Sequence, residues 1–482
     1  MSESLFQRAF AGGELAPSLA ARADQAKYLT GLRTCRNFLV MRGGGVANRP
    51  GFRFTGATKG STTADFLLRY VSEIAGDSVL LEAGPYYLRV YKNGALVELA
   101  SVDAYNAGVG YAIGAIAESG GVNYYCVKAH TNHAPPNATY WYAMPGDILE
   151  IPTPFGNAGF NWEQSGNVIT LTSLANLVQP YELIYASLTN WAIQKVNTAP
   201  LIDPPTAITA VAGAAGTLSF QYVITSAALD TYEESIASAI KQLNTTAVGT
   251  PDKPIALAWT APAQAAAEYY IYKDPYGNGT FGFIGTATGQ TTFKDIGFTP
   301  DFALTPPLPR ILFTTANEFP SVCGHYQQRR FFANTIANPD AIYGSRTGLR
   351  SNFNISSPLQ DDDAITFKIA GNHHNPVRHL IGLKNLVVLT DGGEWTVGET
   401  KTPLSPSNLP ADQELYVGVS PLRPVVVGNS ILYVQARGSI VRDVQFDVQV
   451  DGLAGRDLTV YASHLFDGYT IARVDYQQTP NS

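Results

Sequence analysis

The densest group of metal-competent side chains is His373-His374-Asn375-Pro376, with His379 close behind. Neutral imidazoles bind zinc, but such a site needs a His-Glu-x-x-His pair or nearby cysteines, and neither is present. His130-Thr131-Asn132-His133 stands before Pro135-Pro136, in a loop where histidines commonly bond to backbone or solvent. Asp361-Asp362-Asp363 offers oxygen ligands for calcium yet lacks the alternating spacing, central glycine and distal glutamate of a calcium loop, so a solvated acidic loop is expected. Arg42-Gly43-Gly44-Gly45-Val46 has the glycines of a phosphate loop, but no Gly-Lys-Ser/Thr and no helix follow; the glycines read as permitting a tight turn. A Gly-x-Ser-x-Gly elbow is absent, and no carboxylate pair can be nominated for glycoside hydrolysis. The expectation is a protein that is not an enzyme, with no catalytic residues, no metal and no cofactor.

Binding chemistry is better represented. The chain carries 22 Phe, 26 Tyr and 5 Trp, residues that bind sugars and proteins as well as pack cores. Their alternation with polar residues, as in Tyr86-Tyr87-Leu88-Arg89-Val90-Tyr91, assigns most of them to sheet faces. Charge is unevenly placed. Residues 1–59 hold nine basic and three acidic residues, a balance of +6, whereas the remaining 423 hold 23 basic and 36 acidic, a balance of −13. Such asymmetry points to a basic arm that docks on an acidic surface, of a neighbouring subunit or of another partner, through Arg22, Arg33, Arg36, Arg42, Arg49 and Arg53. The plainer alternative is a set of solvated arginines on an ordinary first domain.

These groups must be positioned by a chain of 482 residues, long enough for about three domains at roughly 150 residues each. Hydrophobic residues make up 45% and charged residues 15%, which describes a folded, weakly charged protein rather than a disordered one. The net charge of −7 argues against general electrostatic grip on nucleic acid. Three dispersed cysteines, Cys35, Cys126 and Cys323, give no disulfide framework and are expected as free thiols. No signal-like apolar core opens the sequence and no stretch of 18 apolar residues occurs, so synthesis and folding in a cytoplasm are expected. The Asn-x-Ser/Thr triplets at Asn137 and Asn354 then count as chance matches.

Beyond the arm, short alternating apolar runs bounded by Gly, Asn, Asp or Pro predict antiparallel strands. Residues 66–71, 78–82 and 86–91 form a first meander, with Asn93-Gly94 as a hairpin turn. Comparable meanders are expected at 123–127 with 139–142, 168–171 with 183–186, and 330–335 with 341–345. A strand over 380–389 should turn through Asp391-Gly392-Gly393 into 394–397, followed by 425–427, 431–435 and 440–446. Repeated small sheets predict a mainly β chain, a β-propeller-like platform with a sandwich as its rival. Residues 203–309 differ: they carry four lysines against nine acids and are bracketed by Asp203-Pro204-Pro205 and by Thr305-Pro306-Pro307-Leu308-Pro309. Short strands and a Trp in a central one predict an inserted immunoglobulin or fibronectin III-like sandwich without the cysteine pair. The expected domains are a basic arm at 1–60, first propeller blades at 61–202, the insertion at 203–309 and further blades at 310–482.

Four segments of the arm carry a family pattern: Phe10-Ala11-Gly12-Gly13-Glu14-Leu15, Ala21-Arg22-Ala23-Asp24-Gln25-Ala26-Lys27-Tyr28, Cys35-Arg36-Asn37-Phe38 and Arg49-Pro50-Gly51-Phe52-Arg53-Phe54. Together with Ala462-Ser463-His464-Leu465-Phe466, they resemble the tail nozzle proteins of short-tailed bacteriophages, also called tail tubular protein B or tail hub. The resemblance covers the first fifth and the last third of the chain, and the middle by architecture alone. It implies a virion structural protein, a propeller with inserted domains, forming a homohexameric ring below the portal and adaptor. Fibres or spikes attach around that ring, and genomic DNA passes through its lumen without specific binding. An acidic wall suits such a conduit, because it repels phosphates where a basic one would hold the duplex by counterion release. Family members continue beyond a segment like 469–478, whereas this sequence stops at Ser482. Two other readings stand beside it: a glycan-binding or glycan-cleaving propeller acting on the bacterial surface, and a cytoplasmic scaffold.

Overall fold

The computed structural model describes residues 7–41, 43–60, 66–71, 78–246, 249–371, 375–399, 402–437, 439–449 and 452–476. The protein is mainly β. Among the described residues there are many short strands, four single-turn 3-10 helices and no α-helix. Sheet I joins Phe66–Tyr70, Val79–Gly84 and Tyr87–Lys92 to Glu150–Pro152, with Ala95–Leu96 beside the third strand. Sheet II, made of Ile116–Ser119, Val122–Cys126 and Trp141–Ala143, forms in the excursion before that last strand. Four later sheets are four-stranded antiparallel meanders. Sheet III starts at Phe160–Ser165 and ends at Asn190–Lys195, and sheet VI runs from Val322–Tyr326 to Ile365–Lys368. Sheet VII runs from Val377–Gly382 to Ala411–Leu415, and sheet VIII from Val425–Val427 to Gly452–Asp457.

Between sheets III and VI the chain builds two further sheets. Sheet IV contains Thr206–Val211, Ile255–Thr260 and Thr292–Asp295; sheet V contains Leu218–Ala228, Lys241–Thr245, Ala266–Asp274 and Gly282–Thr288. Alternation explains their packing. In Ile255–Thr260, Ile255, Leu257 and Trp259 are buried and alternate with more exposed residues, so one face meets Tyr222, Ile224, Tyr269 and Ile271 of sheet V. A polar tie crosses the same core: Lys273 Nζ lies 2.6 Å from Asp295 Oδ2, which also accepts a hydrogen bond from the Tyr222 hydroxyl at 2.8 Å.

The meanders cover one another. One core joins sheets I, II and III around the rings of Tyr70, Tyr185 and Trp191, whose centroids lie 4.8 to 5.1 Å apart. Phe331, Ile342, Val388 and Trp395 fill the space between sheets VI and VII, and Leu389, Ile431, Tyr433 and Val444 that between VII and VIII. Asn93 and Gly94 both take positive φ, 54° and 81°, at the expected turn. The expected strand over 380–389 is instead two strands, Val377–Gly382 and Leu386–Thr390, joined by a tight turn. That turn has no Gly or Pro; neighbouring sheets hold it, with the Tyr326 hydroxyl donating to Lys384 O at 2.9 Å and the Lys384 ammonium 4.2 Å above the Phe446 ring.

Asp295→Ala should destabilise the sheet IV–sheet V unit by about 3–5 kcal/mol in denaturant unfolding, because it leaves the Lys273 ammonium buried without a counter-charge. Replacing both partners, Lys273→Met with Asp295→Leu, should recover the part of the loss owed to the stranded ammonium, while the Tyr222 hydroxyl and the Gly297 and Phe298 N–H groups still lack their acceptor. Equal destabilisation by the two variants would refute this account of the tie.

Candidate assembly surface

The N-terminal segment folds back on itself before it meets the body. Gly13–Glu14 pairs in parallel with Gly31–Leu32, and Phe38–Val40 forms a hairpin with Val46–Asn48. The Gly12-Gly13 pair is required locally: a Cβ on Gly12 would sit 2.8 Å from Lys27 O, and Gly13 has φ +65°. Glu14 is the centre of the arrangement, with its side chain 6% exposed. It accepts the Cys35 N–H at 2.6 Å, lies 3.4 Å from the Arg36 guanidinium, and has His464 Nε2 at 3.0 Å. Burial raises the Glu14 pKa, but the bonds from Cys35, His464 and Arg36 outweigh it and hold the carboxyl below its ordinary value. The Ala16 N–H donates to Tyr461 O at 2.8 Å, and the Lys27 ammonium lies 4.4 Å from the Tyr461 ring centroid.

The predicted arginines have different fates. Arg22 pairs with its neighbour Asp24 at 2.6 Å on the surface, and Arg36, itself exposed, lies over Glu14 at 3.4 Å. Arg49 stacks its guanidinium 4.5 Å from the Phe52 ring centroid. Arg33 and Arg53 are exposed, with no charge partner among the described residues; Arg42 lies outside those residues. From Arg49 to Lys59 every residue is exposed, with Phe52 at 85% and Phe54 at 82%. Both ends of this segment are tied down. The Arg49 N–H donates to Asn37 O at 3.0 Å, and Lys59 reaches two buried carboxylates, its N–H bonding Glu82 at 2.9 Å and its Nζ bonding Glu150 at 2.6 Å. Glu150 also holds Arg89 at 2.8 Å and accepts the Tyr142 hydroxyl at 2.6 Å.

A second polar cluster sits where the first strands of sheets III, VI and VII meet the segment before sheet VIII. They surround a cavity of about 180 Å³ lined by Trp162, Glu163, His325, His379 and Arg423, among others. Arg423 stacks 3.8 Å from the Trp162 ring centroid, donates to Trp162 O and pairs with Glu163 at 2.9 Å. Burial raises the Glu163 carboxyl, while the same burial depresses His379 to about 4 even though its Nε2 lies 3.1 Å from Ser420 O. His325, pushed down to about 4 by burial and by Arg330 and Arg350, has no hydrogen-bond partner on either ring nitrogen among the described residues. No signal in the sequence marks this cluster, because Arg423 and Glu163 are 260 residues apart.

The other sequence candidates are structural in their surroundings. His373 and His374 lie outside the described residues, and His379 is a buried strand residue. His133 stacks on Tyr140 at 3.9 Å, and His130 lies among Tyr111, Tyr140 and Trp141. The Asp363 carboxylate is taken up by Ser356 and Gln360, and Asp362 by Arg346 at 2.7 Å. No group of three metal-competent side chains occurs among the described residues, and the three cysteines are free.

No protein-family model and no curated protein matches the chain. Among solved structures it is similar to a putative 6-phosphogluconolactonase from Bacteroides fragilis, at 11% identity and a TM-score of 0.23, over 83% of this chain and 96% of that one. It is similar also to Hsv2 of Kluyveromyces lactis, at 6% identity and a TM-score of 0.21, over 79% and 94%. Likeness at this level assigns neither a fold nor a function.

His379 is neutral when folded and protonates more easily when unfolded, so between pH 6.5 and about 4 the unfolded chain binds the extra proton. Stability should therefore fall as pH drops through that window. His379→Gln should flatten the slope of unfolding free energy against pH, whatever its effect at pH 7; an unchanged slope would remove His379 as a source.

Proposed function

We propose that this chain is a structural subunit of a bacteriophage tail, a nozzle or hub that assembles as a hexameric ring and lets genomic DNA pass on ejection. The observation that carries the reading is the convergence at Glu14 of three segments bearing the family pattern. Glu14 belongs to 10–15, Cys35 and Arg36 to 35–38, and His464 to 462–466. A pattern split between the two ends of a sequence, yet joined in one network, supports reading these segments as one functional unit.

The finer architecture supports the same reading. Sheets III, VI, VII and VIII, with their first strands or approaches around one cavity, read as blades of a propeller-like platform, and sheet I supplies a further blade. Sheets IV and V, three and four strands about one core, read as an immunoglobulin or fibronectin III-like insertion. The adaptor, fibres or spikes and the virion-tail location follow from the nozzle assignment. DNA would pass between copies, because a cavity of about 180 Å³ is far too small for a duplex.

Native mass spectrometry of the purified protein, alone and with its adaptor, should give a six-fold assembly. A permanent monomer without affinity for other tail proteins would overturn the proposal. Saturable binding or cleavage of host polysaccharide would favour the glycan reading instead.

A further inference from the structure

A cleft of about 850 Å³ lies between the sheet IV–sheet V unit and the turns of sheet VI. Its lining includes Leu201, Leu229, Asp230, Glu233, Leu349 and Arg350, and two of the apolar side chains stand open, Leu201 at 61% and Leu229 at 55% exposure. The volume is that of a binding pocket, and the position, at a seam between two units, is where such pockets concentrate. Elsewhere the same chain holds out an extended segment with the opposite character. Phe52 and Phe54 flank Arg53, almost wholly exposed, on a stretch fastened at Asn37 and at Glu150. Ten residues fastened at both ends project at most about 17 Å, half of an extended length of ~3.4 Å per residue. Exposed aromatics on a short, tethered segment form a compact plug.

We propose that the Phe52-Arg53-Phe54 segment of one copy enters the cleft of a second copy, the two rings against Leu201 and Leu229 and Arg53 facing Asp230. The assignment rests on the ring reading above and names the contact that builds it. Two observations favour a second copy as occupant. The charges are complementary where the two would meet: the plug carries Arg53, and the wall of the cleft from residues 203–309 contributes Asp230 and Glu233, with Arg350 on the opposite side. Each chain also has one plug and one cleft that do not meet within it, since both phenylalanines stay exposed. That is a heterologous contact, the kind that repeats head to tail and closes into rings.

Complementation tests it in the full-length protein. Phe52→Ser with Phe54→Ser removes the plug without touching the core, and Leu229→Arg blocks the cleft; circular dichroism checks that both variants stay folded. Each alone should be monomeric at concentrations where the wild type assembles, with at least a tenfold higher concentration needed for any association. Mixed, the two retain one intact plug and one intact cleft and should form a one-to-one dimer. Arg53→Glu should weaken assembly about tenfold, and Asp230→Arg in the same chain should restore it. Wild-type assembly by either blocked variant, or a mixture without dimers, would overturn the contact while leaving a six-fold wild type standing. Dimers from the mixture beside a wild type that is not six-fold would keep the contact and remove the hexamer.

Discussion

A four-stranded sheet has two faces, and with no α-helix among the described residues only other sheets and loops are there to cover them. This constraint decides how the meanders of this chain stack. Val168–Ser173 is buried along its whole length, as is Leu386–Thr390, because each is a central strand covered on both faces. Stacking by face contact alone would leave the first and later sheets free to slide. Arg423 opposes this by joining the approach to sheet VIII to the first strand of sheet III, through a stacked ring, a backbone carbonyl and a carboxylate at once. A planar guanidinium can make all three bonds together, which the ammonium of lysine cannot.

Buried carboxylates perform the same service for the N-terminal segment. Glu14, Glu82 and Glu150 lie under the surface and each takes hydrogen bonds from more than one segment. Removing any partner would leave charge or lone pairs unmet in a low-dielectric site, so these contacts fix the path of the segment more firmly than apolar contact could. Between those anchors the residues from 50 to 57 are all exposed, with Arg49 on Phe52 the ring contact along the stretch.

Local chemistry made part of this legible in the sequence. Asn93-Gly94 announces a hairpin because only certain residues accept positive φ, and the alternation around Trp259 announces a half-buried strand because side chains repeat every two residues. Contacts between distant segments had no such signal. The turn at Leu383–Asn385 is flanked by Gly382 and contains Asn385, but its position is also fixed by a tyrosine from the preceding sheet and a phenylalanine from the following one, contacts no local pattern announces. The arm's sign was readable and its destination was not: Arg36 and Lys59 meet glutamates 22 and 91 residues away, while Arg33 and Arg53 stay unpaired among the described residues.

On the nozzle proposal, the polar cluster at Glu163 and Arg423 gains a meaning beyond packing. The cavity between the first strands of sheets III, VI and VII is only about 180 Å³ and is lined by that ion pair, an indole and two neutral histidines, far too little room for a duplex. On that proposal any passage for a duplex is bounded by several copies, whose residues beyond the arm carry a balance of −13. Basic residues collected in one short segment and engaged between neighbours would leave that passage lined with like charge. The asymmetry between arm and body would thus separate the two tasks of such a ring: attraction where subunits join, repulsion where DNA moves.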